Sequence, residues 1–494
     1  MMGRAQGDNE EEAMHETTTE WLTGRIPSEK PVRFQWRRKA WSMVPWIIAA
    51  PLGRTERKLP KVNSTSYLNG LRGVACLIVF NYHVAILWNP MQKKTLGRVP
   101  LFNVVLAGHG ATMVFFVLSG FVLSYSPLSK ISSGGHDSAL LTSLWSSIIR
   151  RGFRLFTPLV ALAFIFAFVT FFTSMYEDSK QLPYAQIDPK TVAHFFLNME
   201  SYARMVLRLI NPFTWKIVQP ATLEQAWTLP FEYRGSLIVF LLCIVCSRLT
   251  SRCRKLFLLA FALFALHYVR WDVFCFTAGM GLAELRFCPL FEPESKHESL
   301  PRSAADVPAR PWARLARHVK VRSVRSAVAL LTLVPAVVVC AWPESGATLG
   351  VEPYASIHAT FTPEQYSGND IDFLYASVGA VGVLASLESL PSFQWLLSTA
   401  PFRYLGEISF AFYLMHLLLI TTVSAPTFIF LMDVLGWTFQ PSYVVVWILA
   451  AAGTCITADW FWRAVDETSV RMSRKISDWV IAKPKDTEPA YHAL

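Results

Sequence analysis

Residues 66–88, SYLNGLRGVACLIVFNYHVAILW, form the stretch that decides the fold. At ~1.5 Å per residue, a helix of this length crosses the ~30 Å hydrocarbon core of a bilayer. The stretch nevertheless carries Arg72 near its start and His83 in its interior. A helix separates these two residues by roughly 16 Å and about three full turns, so both lie on one face. Ionisable residues at that depth usually face a bundle interior or a wet cavity, although a snorkelling arginine and a histidine bonded to a neighbouring helix fit the pattern too.

The composition of the 494-residue chain is that of a membrane protein. Hydrophobic residues make up 53% of it and charged residues only 16%, whereas charged residues are about 25% of a soluble domain. The net charge of +11 is explained first by basic cytosolic loops, so no nucleic-acid partner is predicted. Six of the eight cysteines fall inside apolar segments, which is not a disulfide framework. Neither a metal site nor a permanently bound cofactor is predicted.

Apolar runs of about twenty residues predict an all-α, polytopic membrane protein with about ten spanning helices. The fifth and sixth runs are the weakest, and a single hairpin that does not fully cross the bilayer also fits them. Residues 66–465 form the predicted transmembrane domain, between a partly disordered, basic, cytosolic tail at 1–65 and a second cytosolic tail at 466–494. The predicted spans are 67–88, 107–127, 155–173, 229–247, 256–270, 271–286, 326–342, 371–388, 404–424 and 442–463.

Basic residues alternate between the loops, and this alternation sets the orientation of the chain. Most lysines and arginines lie in the two tails and in the loops near 130–154, 248–255 and 296–325, whereas loops 343–370 and 425–441 contain none. Both termini are therefore expected in the cytosol. We expect an endomembrane, such as the endoplasmic reticulum, as the location.

Four further polar side chains stand in apolar surroundings. Arg151 and Arg154 are three residues apart, so both project from one face at the cytosolic end of their helix. Two guanidiniums suit a phosphate there, although most such arginines only anchor topology. Glu232 lies just inside the outer end of the fourth helix, and His416 lies about two and a half turns into the ninth. A satisfied buried polar group explains either of these two equally well.

The order in which these side chains are predicted to lie across the membrane indicates a reaction. Arginines at the cytosolic mouth fit a donor that carries phosphates, and the surrounding bundle protects a thioester from water. A histidine at mid-depth can take a proton from a hydroxyl, because its ordinary pKa lies near neutrality. The predicted chemistry is acyl transfer from a donor that enters from the cytosol, with a carboxylate toward the outside.

Five segments, in this order, resemble the membrane acyltransferase-3 family, which includes bacterial polysaccharide O-acetyltransferases and fungal metabolite acyltransferases. The resemblance covers some four-fifths of the chain and implies a ten-helix bundle that transfers an acyl group, often acetyl from acetyl-CoA, to a hydroxyl. The segments are YLNGLRGVACLIVFNYH (67–83), VFFVLSGFVLS (114–124), RGFRLFTP (151–158), WTLPFE (227–232) and LGEISFAFYLMH (405–416).

The resemblance also implies roles and a co-substrate. His83 takes the place of the catalytic histidine and Arg72 that of its essential companion, with Glu232 and His416 at the motif acid and the late histidine. Arg151 and Arg154 form the arginine motif near acyl-CoA, the expected donor. The expected acceptor is a hydroxyl of a small molecule, such as a fungal secondary metabolite, or of a glycan.

Three positions depart from the family pattern. Met113 replaces an aspartate, Asn69 stands where aspartate is common, and Met415 replaces a tryptophan. In addition, residues 233–237 (YRGSL), which follow Glu232, lack the family's usual aromatic pair. Recognition of the acceptor is therefore expected to differ from that of other members.

Two other classes of function are compatible with the same residues. A transporter would use Arg72, His83 and Glu232 as a proton or substrate relay, but no internal repeat of the kind common in transporters occurs. A catalytically silent member that acts as a receptor or scaffold is the third reading, which the retained histidine and arginines disfavour.

The topology is tested by tagging both ends and by glycosidase treatment. We expect both tags in the cytosol and no glycan on Asn63, whose Asn63-Ser64-Thr65 sequon would face the cytosol. A lumenal tag at either end, or a mobility shift traced to Asn63, would show that the orientation is wrong.

Overall fold

The computed structural model describes residues 44–53, 59–88, 99–134, 137–172, 192–218, 223–287, 311–343 and 351–480. Residues 1–58 and 59–494 form two units. In the first unit the described part contains one short helix, Trp46–Ala49. The predicted disorder at the start of the N-terminal tail, and the end of the C-terminal tail after residue 480, lie outside the described residues.

The second unit is all-α, as predicted, and its described ranges contain no strand. Short helical turns at Pro100–Asn103, Val104–Leu106, Glu224–Trp227 and Pro391–Leu397 join the longer helices. Segments Ile420–Ser424, Ala425–Ile429 and Phe430–Val434 continue the helix that ends at Leu419. A π-helical turn, Trp462–Asp466, joins helix Phe439–Phe461 to helix Glu467–Val480. The longer helices are α1 (Ser66–Trp88), α2 (Gly108–Ser132), α3 (Asp137–Phe172), α4 (Val192–Ile210), α5 (Thr228–Cys246), α6 (Ser251–His267), α7 (Trp271–Leu285), α8 (Pro311–Cys340), α9 (Tyr354–Phe361), α10 (Asn369–Leu387), α11 (Ala400–Leu419), α12 (Phe439–Phe461) and α13 (Glu467–Val480).

The described residues include six helical segments that are long and apolar enough to cross a membrane, so the count of about ten is not confirmed. Each of the ten predicted spans nevertheless overlaps a helix of the described structure. The weakest two, α6 and α7, have 17 and 15 residues, which reach roughly 26 and 22 Å and fall short of a ~30 Å hydrocarbon core. The six segments are Gly108–Ser132, Leu140–Val169, Glu224–Cys246, Asn369–Leu387, Ala400–Val434 and Phe439–Val480.

Helices α1 and α11 run parallel and pack along their length. The thiol of Cys76 donates to the carbonyl oxygen of Ser409 at 3.3 Å, and further along both helices the rings of Phe80 and Phe412 meet edge to face at 5.7 Å. One turn further along, the rings of His83 and His416 lie 5.0 Å apart, centroid to centroid. Because the contacting residues recur every three or four positions on each helix, the two faces stay in register.

Helices α2 and α7 approach each other closely and run antiparallel. A Cβ atom on Gly120 would lie 2.1 Å from the carbonyl oxygen of Phe276, and one on Gly279 would lie 2.1 Å from that of Val117. Small residues allow this kind of backbone contact between membrane helices. Gly120 and Gly279 are therefore the residues that let the two backbones come together.

Charged clusters join helix ends on both sides of the bundle. On one side Arg286, after α7, donates to the carboxylate of Glu388 at 2.6 Å and to the hydroxyl of Tyr67 at 2.9 Å. These contacts bring the start of α1 and the ends of α7 and α10 to the same side, as an up-and-down arrangement requires. At the other end of α7 the carboxylate of Asp272 accepts from Arg234 at 2.6 Å and from Arg270 at 2.7 Å.

The α2–α7 contact is tested by a matched pair of alanine variants in α7. We expect Gly279→Ala to lower the melting temperature in detergent, because its methyl group collides with the α2 backbone and overpacking costs about 1–3 kcal/mol. Gly281→Ala meets nothing within 4 Å and should be neutral or slightly stabilising, since alanine favours helix by about 0.5–1 kcal/mol. Equal melting temperatures for the two variants would contradict the close contact.

Candidate active site

A cavity of about 150 Å³ lies between α1, α2, α3, α5 and α11. It brings together four of the six predicted site residues: Arg72, Arg151, Arg154 and Glu232. The rest of the wall is largely aromatic and aliphatic, and the hydroxyl groups of Ser119 and Tyr413 are among its few other polar groups. Residues that the sequence places on three different helices therefore share one chamber.

An ion pair between Arg151 and Glu232 crosses the wall of this cavity. Glu232 also accepts a hydrogen bond from the hydroxyl of Ser119 at 2.5 Å, and the Nε of Arg151 donates to the hydroxyl of Ser236 at 2.9 Å. Both charged side chains are largely buried, at 13% and 15% exposure. Removing one partner from such a pair typically costs about 3–5 kcal/mol, because the other charge is left uncompensated.

This ion pair shows that the predicted order of depth is wrong. Arg151 stands fourteen residues after Asp137, where α3 begins, and Glu232 stands fourteen residues before Cys246, where the antiparallel α5 ends. Both therefore lie roughly 21 Å from the same side of the bundle. The arginine motif lies within the helix bundle and at the level of the acid, because α3 begins well before the apolar run on which the prediction relied.

Arg72 and Arg154 also line the cavity, and neither makes a hydrogen bond or ion pair that the described part of the structure records. The guanidinium of Arg72 interacts electrostatically with those of Arg154 and Arg151 and with the carboxylate of Glu232. The lining thus combines three guanidiniums with one carboxylate. Such an excess of positive charge in a partly desolvated chamber attracts an anion, and guanidiniums fit phosphate oxygens through paired N–H donors.

The two predicted histidines meet beyond Tyr413 and do not line the cavity. The ring of His416 lies 5.9 Å from that of Tyr413 and 5.0 Å from that of His83, centroid to centroid. His416 is 1% exposed, whereas His83 is only partly buried. Two ring contacts therefore connect the cavity wall to the more accessible histidine.

The hydrogen bond made by His416 determines which of its nitrogens carries the proton. Its Nδ1 lies 2.7 Å from the carbonyl oxygen of Tyr413, and a carbonyl can only accept, so Nδ1 must donate. In the neutral ring Nε2 then has a free lone pair, and it has no hydrogen-bond partner among the described residues. His416 is thus oriented by its own helix backbone, with a basic nitrogen left for the partner ring or a ligand.

Aromatic rings enclose the other side of His83. Tyr82 meets His83 at 5.2 Å, and His109 lies between Tyr82 at 5.8 Å and Phe373 at 5.0 Å. The sequence favours a surface or interfacial position for His109, but the structure packs it among aromatic rings. Tyr82 therefore links His83 to a row of aromatic rings at the start of α2.

Two residues of the cavity were not identified from the sequence. Ser119, which precedes the helix-contact residue Gly120, donates to Glu232. Tyr413 bonds to the hydroxyl of Thr228 at 2.9 Å and to the carbonyl of Gln225, which ties α11 to the start of α5. Ser119 precedes Gly120 in one motif segment, and Tyr413 stands three residues before His416 in another. Their position inside these segments is the only feature of the sequence that points to a place in the cavity.

Two departures from the family pattern are packing positions. The amide of Asn69 donates to the carboxylate of Glu407 at 2.8 Å, and Met113 is fully buried with its sulfur 4.0 Å from that of Cys275. Neither residue lines the cavity. Within the described residues no group of three or more His, Cys, Asp or Glu side chains is placed to hold a metal ion.

Comparison with known proteins identifies the family of the chain. The family model of the acyltransferase-3 type, described as an acyltransferase domain, matches residues 65–463. The chain is 28% identical over 458 residues to O-acetyltransferase PaAT-1 of Phomopsis amygdali, which covers 87% of each chain. It is 22% identical over 463 residues to Acyltransferase R4 of Phoma sp. (strain ATCC 20986 / MF5453), which covers 82% of this chain and 94% of that protein.

No solved structure matches the chain significantly. The family model spans most of the sequence, and the helices that it covers build one cavity from the family's motif segments. The protein therefore belongs to the acyltransferase-3 family and is an integral membrane acyltransferase.

Proposed function

We propose that the protein is an O-acyltransferase that moves an acyl group, acetyl in the simplest case, from acyl-CoA to a hydroxyl group. The observation that carries this proposal is the cavity with three guanidiniums, whose Tyr413 wall contacts the histidine pair. The acceptor we propose is a small molecule, such as a fungal secondary metabolite, with a glycan as the second class. The relatives named above are an O-acetyltransferase and an acyltransferase, both from fungi.

The donor site is assigned to the arginine cavity. Arg154 and Arg72 have guanidinium donors free for the phosphates of CoA, whereas Arg151 is already engaged by Glu232. Roughly 16 Å of helix separates Arg72 from His83, and the extended pantetheine arm of CoA bridges a gap of this kind between its phosphates and its thioester. The phosphates and the acyl carbon would thus occupy opposite ends of one path along α1.

The proton of the acceptor is assigned to His83. A hydroxyl is a weak nucleophile, and a base that removes its proton during attack typically contributes ~10²–10⁴-fold. The imidazole nitrogen takes the proton, the hydroxyl oxygen forms a bond to the thioester carbonyl carbon, and the C–S bond breaks. The histidine proton then passes to the departing thiolate, so that the products are an ester and CoA.

His83 is favoured over His416 as the base because it is the more accessible of the two rings. His416 packs against His83 with its own Nδ1 bound to the backbone. In this proposal it holds the ring of His83 in place. The surrounding rings would exclude water, which protects the thioester from hydrolysis.

The setting of the reaction follows from the same proposal. The donor would enter from the cytosol, with both termini on that side, and the acceptor would reach His83 from the opposite face of an endomembrane such as the endoplasmic reticulum. Transport by these residues is not supported, because the chain belongs to an acyltransferase family. The tests of the donor site and of the base, described next, distinguish an active enzyme from a catalytically silent family member.

The donor site is tested with Arg154→Ala. We expect binding of acetyl-CoA to weaken by about 10- to 100-fold, because a charge-assisted hydrogen bond is worth ~1.5–3 kcal/mol. Arg154→Lys should restore only part of the affinity, since an ammonium lacks the planar pair of donors. Calorimetry with the purified protein measures the change.

The matched control is Arg150→Ala. Arg150 precedes the motif, bonds to Ser147 at 3.2 Å and does not line the cavity, so its loss should leave donor affinity unchanged. If the two variants bind acetyl-CoA equally well, Arg154 only anchors the topology and the assigned donor site is wrong.

The base is tested with His83→Gln, which keeps hydrogen bonding but cannot take a proton near neutral pH. Acetyl transfer to an accepted hydroxyl compound should fall by ~10²–10⁴-fold, while acetyl-CoA binding stays intact. His109→Gln is the control, because His109 packs against the neighbouring Tyr82 and not against His416. Near-full turnover of His83→Gln would assign His83 a structural role and make His416 the next candidate.

A covalent acyl-histidine is the rival mechanism for the same residue. Quenching the enzyme after addition of donor alone, followed by mass spectrometry of the His83 peptide, separates the two mechanisms. We expect no acylated peptide, because donor and acceptor can meet directly at His83.

A further inference from the structure

A buried carboxylate outside the described cavity lining faces the donor site. Asp466 is the last residue of the π-helical turn Trp462–Asp466, which packs against α3 and α11. It is 4% exposed, and its Oδ1 has no hydrogen-bond partner among the described residues. One turn further along, the hydroxyl of Ser469 donates to the carbonyl oxygen of Phe153, the residue before Arg154, at 2.9 Å. The π-helical turn therefore lies beside the part of α3 that carries Arg154, and the charges of Arg154 and Arg72, the two cavity arginines without a recorded ion pair, act on the carboxylate.

The other acidic groups nearby are already engaged. Glu407, whose charge also acts on Arg72, accepts from the amide of Asn69 at 2.8 Å. Glu232 is paired with Arg151 and Ser119. Asp459, one turn before the π-helical turn, is paired with Arg463, as its four-residue spacing predicts, and accepts from the hydroxyl of Tyr404 at 2.6 Å. Asp466 therefore stands apart as a carboxylate buried beside cations without a direct contact to them.

Such a position is costly and calls for a reason. Burying a carboxylate without hydrogen bonds is unfavourable, and π-helical turns are frequent at functional sites. The family model ends at residue 463, so the family match assigns no role to Asp466. Asp466 does not line the cavity. A bound donor would therefore interact with its charge through space and without direct contact.

We propose that Asp466 is an internal counter-anion of the donor site, which keeps Arg72 and Arg154 oriented when the site is empty and weakens their hold on CoA. The inference rests on the proposed function, because it assumes that CoA binds at these arginines. Substrate and product carry the same phosphates, so contacts to phosphate bind both equally and do not speed the chemical step. A fixed negative charge behind the arginines lowers that shared affinity, and product release becomes faster. Asp466 is thus a positioning residue and not a catalytic one.

The test is the binding of CoA, as the probe, to purified full-length protein and to Asp466→Asn. We expect the variant to bind CoA about tenfold more tightly and to release it about tenfold more slowly, because one like charge has been removed from a poorly screened anion site. Calorimetry gives the affinity and displacement of labelled CoA gives the release rate. A merely structural residue would show the opposite sign, since its loss loosens the site.

Two further variants separate charge from fold. Asp466→Glu keeps the charge and should bind CoA within about threefold of the unmodified protein, with melting temperature as a check on folding. Glu467→Gln removes the same charge one residue further along, where the side chain is only partly buried, and should leave CoA affinity within about twofold. In an Arg154→Ala background the effect of Asp466→Asn should shrink, because one of the two cations it opposes is gone.

The outcomes are distinct. If the unmodified protein fails to bind CoA, or Arg154→Ala leaves binding unchanged, the proposed donor site is wrong and the inference falls with it. If the donor site holds but Asp466→Asn binds CoA equally or more weakly, the inference alone is wrong.

Discussion

The ion pair between Arg151 and Glu232 is the interaction on which the candidate site depends. A charge in the hydrocarbon layer is expensive unless a partner compensates it, and these two side chains sit at the same level of adjacent antiparallel helices. Their pairing leaves the other guanidiniums of the cavity, Arg72 and Arg154, without a direct carboxylate partner in the described structure. The cavity therefore keeps an excess of positive charge, which is what an anionic donor requires. A neutral wall at the same place would not compensate the phosphates of the proposed donor for the loss of their hydration.

The parallel packing of α1 and α11 fixes the other half of the site. Three contacts in register bring His83 against His416, and the carbonyl of Tyr413 holds His416 in one tautomer. Because these are contacts between rigid helices, the ring positions do not depend on a flexible loop. The same helix α1 carries Arg72 on the cavity side, so one rigid element would set the distance between the phosphates of the proposed donor and the proposed base.

Affinity and turnover make opposite demands on a site of this kind. Strong contacts to phosphate hold the donor, but they hold the spent CoA as firmly, since the phosphates are unchanged by the reaction. The carboxylate of Asp466, buried behind the arginines, offers a way to limit that affinity without occupying the chamber. The helical extension beyond the family match would then tune a site that the motif segments build.

The sequence by itself determined the fold class, the family and the six candidate residues, because apolar length, loop charge and motif order are all local properties of the chain. The local ion pair of Asp459 with Arg463 was predictable for the same reason. The tertiary structure alone decided how these residues combine. It placed Glu232 beside Arg151 and not at the outer end, it turned Ser119 toward the acid, and it buried Asp466 next to the part of α3 that carries Arg154. Each of these depends on the register between helices that are far apart in sequence, and register follows from side-chain packing across the interface, which no single segment encodes.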